Sequence, residues 1–432
     1  MPVMNALWGM PRAKLQKASA PWQAWNRRSS LSTRARAPAS YRRVSGLRLE
    51  HEFTHFRDLG GVQSLLRLHH AVDARHGVES TFCAFFEPPD CGVERVRGLG
   101  LTGFSSIHTA RRRFRAAPPP TPDVVNYHNF WGLPFFADLD RAGRRMGLLH
   151  SHFPGLPGWL RHLRGLLDGV LCVSQPLLDL VRRELPELAG ERSLWLPLPV
   201  AREQTEAAQP PLAGRPVVLG FAGRLSFTQK RVDRFPALVR ELDGAGVNFR
   251  LEFLGEGPQA GWLRRQFAGD ARVRFHGRLG GEAYWTVLRG WDAMVFVTDY
   301  EGLPLALLEG LSVGVLPVFP AVGSGGDAYA AGVSEEFLYP PGDVAAAAAA
   351  LRNLVGMTEA GVRELRARAH ALVKRHLGDG YAETFARHAR AVAALPRISR
   401  ASFPRVRLRP HTRVPFGILR RIWPGGFWRG VG

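Results

Sequence analysis

Lysine is almost missing from this chain: of its 58 basic residues only Lys14, Lys17, Lys230 and Lys374 are lysines, and the rest are arginines. Ala, Gly and Pro are abundant beside the arginines, a bias that GC-rich coding produces, so the net charge of +21 is weak evidence about partners. It admits nucleic acid, an acidic membrane surface, phosphorylated substrates and acidic glycans without choosing among them. Cysteine is scarce. Cys83, Cys91 and Cys172 form no CxxC pair and their number is odd, which excludes a zinc ribbon and a disulfide framework and fits a reducing, cytoplasmic setting. No uninterrupted apolar run approaches 18 residues, so no helix is expected to span a bilayer, and membrane contact would be peripheral. Acidic residues are absent from residues 1–45 and again from Pro396 onward. The first of these stretches reads as a basic tail, either transit-like or upstream of the true start.

The composition that remains, 45% apolar and 22% charged over 432 residues, is that of a globular protein too long for one core. From Leu47 extended segments alternate with helical ones. "GLRLEHEF", "ESTFCAFF", "DVVNYHNF", "GLLHSHF" and "DGVLCVS" read as strands, and "SLLRLHHAVDARHG" carries a helical apolar spacing that ends at Gly77. Such alternation predicts parallel β/α units. Residues 200–215 are polar and unpatterned, as a linker is. A second β/α series follows through "PVVLGFAG", "FRLEFLG", "RVRFHG", "AMVFVT" and "GVLPVFP", with Val232, Phe235, Leu238, Val239 and Leu242 on one helical face before Gly244. The run Ala345–Ala350 is helix-favouring. The expected fold class is α/β, two Rossmann-like doubly wound domains facing across a cleft. The expected limits are a tail over 1–45, a first domain over 46–199, the linker, a second domain over 216–378, a helix over 379–395 returning to the first domain, and a basic aromatic tail over 396–432.

The stretch "DYEGLPLALLEGL" sets Glu301 and Glu309 eight positions apart with only uncharged residues between them. Pro304 predicts a helix start directly after a strand, where free backbone N–H groups and a positive dipole end suit phosphate. Two carboxylates also invite a glycosidase reading, but helix rise separates this pair by roughly 12 Å, wider than the ~5 Å of a retaining pair. The plain alternative is two solvated glutamates. "GEGPQAG" at 255–261 has its third Gly misplaced for a dinucleotide fingerprint and lacks the acidic partner, so no NAD site is expected.

Five motifs stand in order: "FAGRLSFTQKRVD", "FLGEGP", "VRFHGRL", "EGLPLALLEGLSVGVLPVF" and "YPPGD". This series resembles the retaining family-4 glycosyltransferases of the two-domain GT-B fold, strongly after residue 213 and weakly over 47–213, to about residue 390. The resemblance implies that Glu301 contacts hydroxyls of a donor sugar, that Glu309 contacts the nucleotide ribose, and that Arg224 and Lys230 neutralise the departing diphosphate. It implies a donor-phosphate turn at Gly60 and Gly61, further donor contacts at Gly223, Gly302, Leu303 and Leu305, and a histidine, His128, at a strand end facing the sugar. His150 and His152 are weaker candidates. The plain alternatives are surface cations for Arg224 and Lys230 and a structural histidine for His128. Family members usually carry Gly after the lysine, where Arg231 stands here, a departure that bears on the geometry of the loop.

The resemblance further implies no cofactor and no metal, a nucleotide-sugar donor as substrate, and a glycan or lipid-linked acceptor. The tail "FGILRRIWPGGFWRG" combines arginines with tryptophans, which predicts contact with an anionic membrane surface on the cytoplasmic face. A non-catalytic carbohydrate- or lipid-binding protein of the same fold is the competing reading. A nucleic-acid binder is the weaker one, since the tails carry no recognised reading motif and no specific nucleic-acid partner is expected.

Overall fold

The computed structural model describes residues 46–57, 60–116, 121–140, 142–200, 211–399 and 413–418. The first 45 residues, most of the linker and most of the basic aromatic tail lie outside the described residues. Among the described residues thirteen strands form two sheets. The first holds β1 (Leu47–Phe53), β2 (Val78–Ala84), β3 (Val96–Gly98), β4 (Val124–His128), β5 (Arg144–Leu149), β6 (Gly169–Cys172) and β7 (Ser193–Trp195), in the order β3-β2-β1-β4-β5-β6-β7. The second holds β8 (Val217–Ala222), β9 (Phe249–Leu254), β10 (Val273–Gly277), β11 (Ala293–Val295), β12 (Leu316–Pro320) and β13 (Leu338–Tyr339), in the order β10-β9-β8-β11-β12-β13. Every pairing is parallel, so each connection must cross over the sheet. In both sheets the strand order reverses once, between β1 and β4 and between β8 and β11.

The expected strands all form. β3, β7 and β13 have no counterpart in the sequence reading, because two or three residues are too short to show a period. β11 is shorter than "AMVFVT". Helix α1 (Gly61–Val72) buries Leu65, Leu66 and His69, and its 3₁₀ extension ends at Gly77, whose φ of 69° is the left-handed conformation a helix stop asks of glycine. The face Phe235, Leu238, Val239 and Leu242 is buried as expected. Helix α2 (Leu305–Ser312) begins one residue later than Pro304, which is its N-cap with extended ψ.

Helix α3 (Gly325–Val333) starts with a capping box between Ser324 and Asp327. The last long helix, α4 (Gly380–Ala394), returns to the first sheet. Its Tyr381 hydroxyl lies 2.9 Å from His69 Nε2, and Leu395 C=O just beyond it accepts from Arg144 at 2.9 Å. The chain is then held by Asp168, which accepts from the backbone N–H groups of Ile398 and Ser399, both at 2.8 Å, and from Arg145 N–H at 2.9 Å. Asp168 is thus scaffold, as is Ser174 at the head of the helix Gln175–Glu184. Phe416 packs into the aromatic core beside β2 and β3, its N–H donating to Ser105 C=O at 2.8 Å.

Candidate functional site

In a doubly wound sheet the loops at the order reversal part to opposite faces and leave a crevice at the carboxyl ends of the strands. In the second sheet that reversal lies between β8 and β11. After β8 comes Gly223–Lys230, and after β11 comes the turn that carries Glu301. The two are stitched together: Asp299 N–H donates to Gln229 C=O at 3.0 Å, and Thr298 Oγ1 donates to the same oxygen at 2.7 Å. This brings Lys230 Nζ to 2.5 Å from Glu301 Oε1, with Gln229 Nε2 3.3 Å from Oε2. Glu301 is 4% exposed. Arg224 lies within electrostatic reach of the Tyr300 hydroxyl, which burial makes harder to ionise.

Arg231 occupies the left-handed region at φ 47°, ψ 43°. The loop keeps the backbone that glycine would take, and the side chain is held by Asp233 at 2.8 Å and Asp299 at 2.9 Å. The glycines of "FLGEGP" have a local cause. A Cβ at Gly255 would collide with the Gly223 carbonyl, and one at Gly257 with the Leu225 carbonyl, so this motif supports the cationic loop from below.

Glu309 is half-buried on α2, and Tyr284 donates its hydroxyl proton to Oε2 at 2.5 Å. Burial raises the pKa of this carboxyl above the ordinary glutamate value, and the Tyr284 hydrogen bond only partly opposes the rise. Leu303 is buried and Leu305 half-buried at the start of α2.

The first domain closes the other side. Gly60 is the N-cap of α1, and a Cβ on Gly61 would lie 3.5 Å from Leu305 Cδ1, so the two helix starts face each other. A Cβ on Gly302 would collide with the His150 carbonyl, and Ser151 forms an antiparallel bridge with Gly302. His152 N–H donates to Glu301 C=O at 3.0 Å, and its Nδ1 lies 3.2 Å from Gly323 C=O. Gly61, Leu305 and Gly302 thus meet across this seam, and Lys230 contacts Glu301 on the turn next to Gly302.

His128 requires correction. It is the last residue of β4 and is 0% exposed, so it does not face the cleft. His150, one residue past the end of β5, stands against Gly302 and is 8% exposed. The sequence reading missed Gln229, which adjoins Lys230, and Tyr284, which lies 25 residues from Glu309 with no signal linking them.

Among the described residues one group has metal-ligand composition: His51, His69 and Asp73, whose ligand atoms lie within 4.8 Å of one another. These atoms already satisfy each other, with His69 Nδ1 2.9 Å from Asp73 Oδ1 and His51 Nε2 3.4 Å from Oδ2.

Residues 216–356 match the family described as Glycosyl transferases group 1. A search of curated proteins finds no match. Among solved structures the chain is similar to sucrose-phosphate synthase from Thermosynechococcus elongatus, at 17% identity and TM-score 0.61 over 80% of this chain and 99% of that one. It is similar to an α,α-trehalose-phosphate synthase (UDP-forming) from Burkholderia vietnamiensis, at 16% identity and TM-score 0.60 over 81% and 98%. A third is a mutant of S. aureus TarM in complex with fondaparinux, α-GlcNAc-glycerol and UDP, at 12% identity and TM-score 0.53 over 67% of this chain. The chain spans 59% of the length of that TarM structure. The architecture is the two-domain α/β GT-B fold.

Proposed function

We propose that this protein is a glycosyltransferase that moves a sugar from a nucleotide-sugar donor to a glycan or lipid-linked acceptor with retention of anomeric configuration. The observation that carries the reading is the Lys230–Glu301 contact at 2.5 Å, which joins the loops of the second sheet's reversal opposite the Gly61 helix start. A cation and a carboxylate in one crevice match a ligand with an anionic diphosphate at one end and hydroxyls at the other. In this reading Lys230 and Arg224 meet the diphosphate, where negative charge builds as the glycosidic bond breaks, and fixed cations stabilise that charge without metal. Glu301 accepts from sugar hydroxyls, and Glu309, oriented by Tyr284, accepts from the ribose. The acceptor enters over the first domain, and a donor phosphate oxygen takes its hydroxyl proton in a front-face transfer.

The test is slow donor hydrolysis across UDP-, GDP- and ADP-sugars, with UDP first because two of the similar structures name it. Turnover is expected to persist in excess EDTA. Glu301→Ala and Glu309→Ala each remove a charge-assisted contact of about 1.5–3 kcal/mol, so activity falls at least tenfold. Lys230→Ala lowers turnover more than donor affinity, because its partner charge is largest in the transition state. Normal turnover in folded Glu301→Ala, or loss of activity in EDTA restored by Mg²⁺ or Mn²⁺, contradicts the assignment.

A further inference from the structure

Three adjacent strands of the first sheet, with the turn that follows α1, align four side chains that the donor site does not use directly. Asp73 Oδ2 lies 3.4 Å from His51 Nε2, His51 Nδ1 lies 3.0 Å from His128 Nε2, and His128 Nδ1 lies 2.9 Å from His150 Nε2. Asp73, His51 and His128 are sealed from solvent, whereas His150 is 8% exposed and its backbone carbonyl stands against Gly302 at the seam. Its own Nδ1 is neither hydrogen-bonded nor among the sealed, unpartnered side-chain atoms.

A neutral imidazole has one N–H, so each ring in such a line must donate at one end and accept at the other. The carboxylate fixes the direction, because it only accepts. His51 carries its proton on Nε2 toward Asp73, and its Nδ1 then accepts from His128 Nε2–H. His128 Nδ1 in turn accepts from His150 Nε2–H. The Asn126 side-chain amide lies 3.4 Å from His51 Nδ1 and 3.3 Å from His128 Nε2; with its oxygen turned toward the two rings it accepts from the His128 Nε2–H, in the same direction as the line. The anchor is firm: Asp73 also accepts from Ser80 Oγ and pairs with His69.

We infer that Asp73, His51 and His128 are positioning residues that set the tautomer of His150, leaving its Nδ1 as a bare acceptor at the cleft for a sugar hydroxyl rather than a phosphate. This rests on the donor-site reading above. A lone pair presented there attracts an O–H and repels an anionic oxygen, which places the sugar end of the donor on this side. Burial keeps the rings neutral, with the neighbouring histidines adding to the effect. The pKa of His51 is lowered to about 4, that of His150 to about 3, and that of His128 well below the usual value. His69, Asp73 and the Tyr381 hydroxyl are the titratable groups on the far side, and burial raises the pKa of that hydroxyl.

The experiment uses the full chain with ring-¹⁵N histidine and reads tautomers by NMR at pH 7 without ligand, with the His150 signal identified by its loss in His150→Gln. The expected spectrum has His150 protonated on Nε2 and bare on Nδ1. In His51→Phe, which replaces a ring stacked 5.0 Å from Phe82 and 5.5 Å from Phe385, the tautomer becomes mixed and donor turnover falls about tenfold. Wild-type His150 protonated on Nδ1 or doubly protonated overturns the proposal. So does an unchanged His150 tautomer in folded His51→Phe, or one equivalent of zinc held by His51, His69 and Asp73. If His51→Phe does not fold, the wild-type spectrum decides alone. The expected tautomer without any sugar-nucleotide binding overturns the donor reading and leaves the relay standing.

Discussion

At the scale of single residues, Arg231 shows how a backbone requirement can outlive the residue type that meets it most easily. A non-glycine residue in the left-handed region costs about 1 kcal/mol, and two partly exposed carboxylates offset that here. Arg231→Gly removes the strain together with the pairs, so stability changes by less than about 1 kcal/mol and donor turnover stays within about threefold. Arg231→Val keeps the strain, adds β-branching and loses both pairs, so it destabilises by about 2 kcal/mol. Thermal melts and donor hydrolysis of both variants check this. If Arg231→Gly abolishes turnover while melting normally, the side chain itself touches the ligand. Lys230 and Glu301 each stand in a motif contiguous in sequence, which singled them out, but their contact joins loops 71 residues apart and no local pattern announces it. His150 was not distinguished from His128, since what separates them is one residue of strand length: β4 runs to His128 and buries it, whereas β5 stops at Leu149.

Among the elements, β1 is the unexpected one. It lies inside the first sheet, between β2 and β4, yet reads Glu50, His51, Glu52, all buried. The alternating faces of the strand sort these into two networks: His51 toward the histidine line, Glu50 toward Arg97 at 2.8 Å. Neither carboxyl oxygen of Glu52 has a hydrogen-bond partner, and burial together with the Glu50 charge raises the Glu52 pKa well above its ordinary value. Glu52→Met should therefore stabilise by about 1–3 kcal/mol, raising Tm by roughly 2–4 °C per kcal/mol. A fall in Tm would mean that Glu52 is ionised and balances Arg97 or Arg145. The strand was legible from its alternation. Its burial on both faces was not, because that follows from the position of β1 in the sheet order, and sheet order is not written in any local pattern.

At the scale of the whole molecule, five buried histidines among the described residues have pKa values that burial depresses: His51, His128, His150, His376 and His388. Such groups stay neutral in the fold but take up protons once unfolded, so stability falls as pH drops from about 6.5 toward about 4. Each histidine lowered to near 4 contributes on the order of 3 kcal/mol to the loss. Glu50, Glu52, Asp140 and Glu309, with raised values, work in the opposite direction. Five against four favours acid lability, and the depressed Asp73 and Asp168 add to it below about pH 4. Melting curves from pH 7 to 4 should show Tm falling throughout; a flat profile would refute the neutral-histidine picture.

The tail after Pro396 belongs to the same scale. Phe416 is anchored beside a loop whose Phe104 is 92% exposed, and Ile418 next to it is 47% exposed. Truncation at Pro396 should reduce cosedimentation with anionic vesicles at low salt. Equal sedimentation of both chains would show that the tail is not the anchor.

The return of α4 has a consequence for anyone who would cut the molecule in two. Because Tyr381 and Phe385 roof His69 and His51, and Asp168 clasps Ser399, the first folding unit is written in two separate passages with the second unit spliced between them. A polypeptide ending at residue 200 would leave its own roof behind and expose the buried histidines to water. Joining residues 46–200 to 378–399 through a short bridge would restore that roof, and the excised middle, 211–377, would leave as an intact cassette.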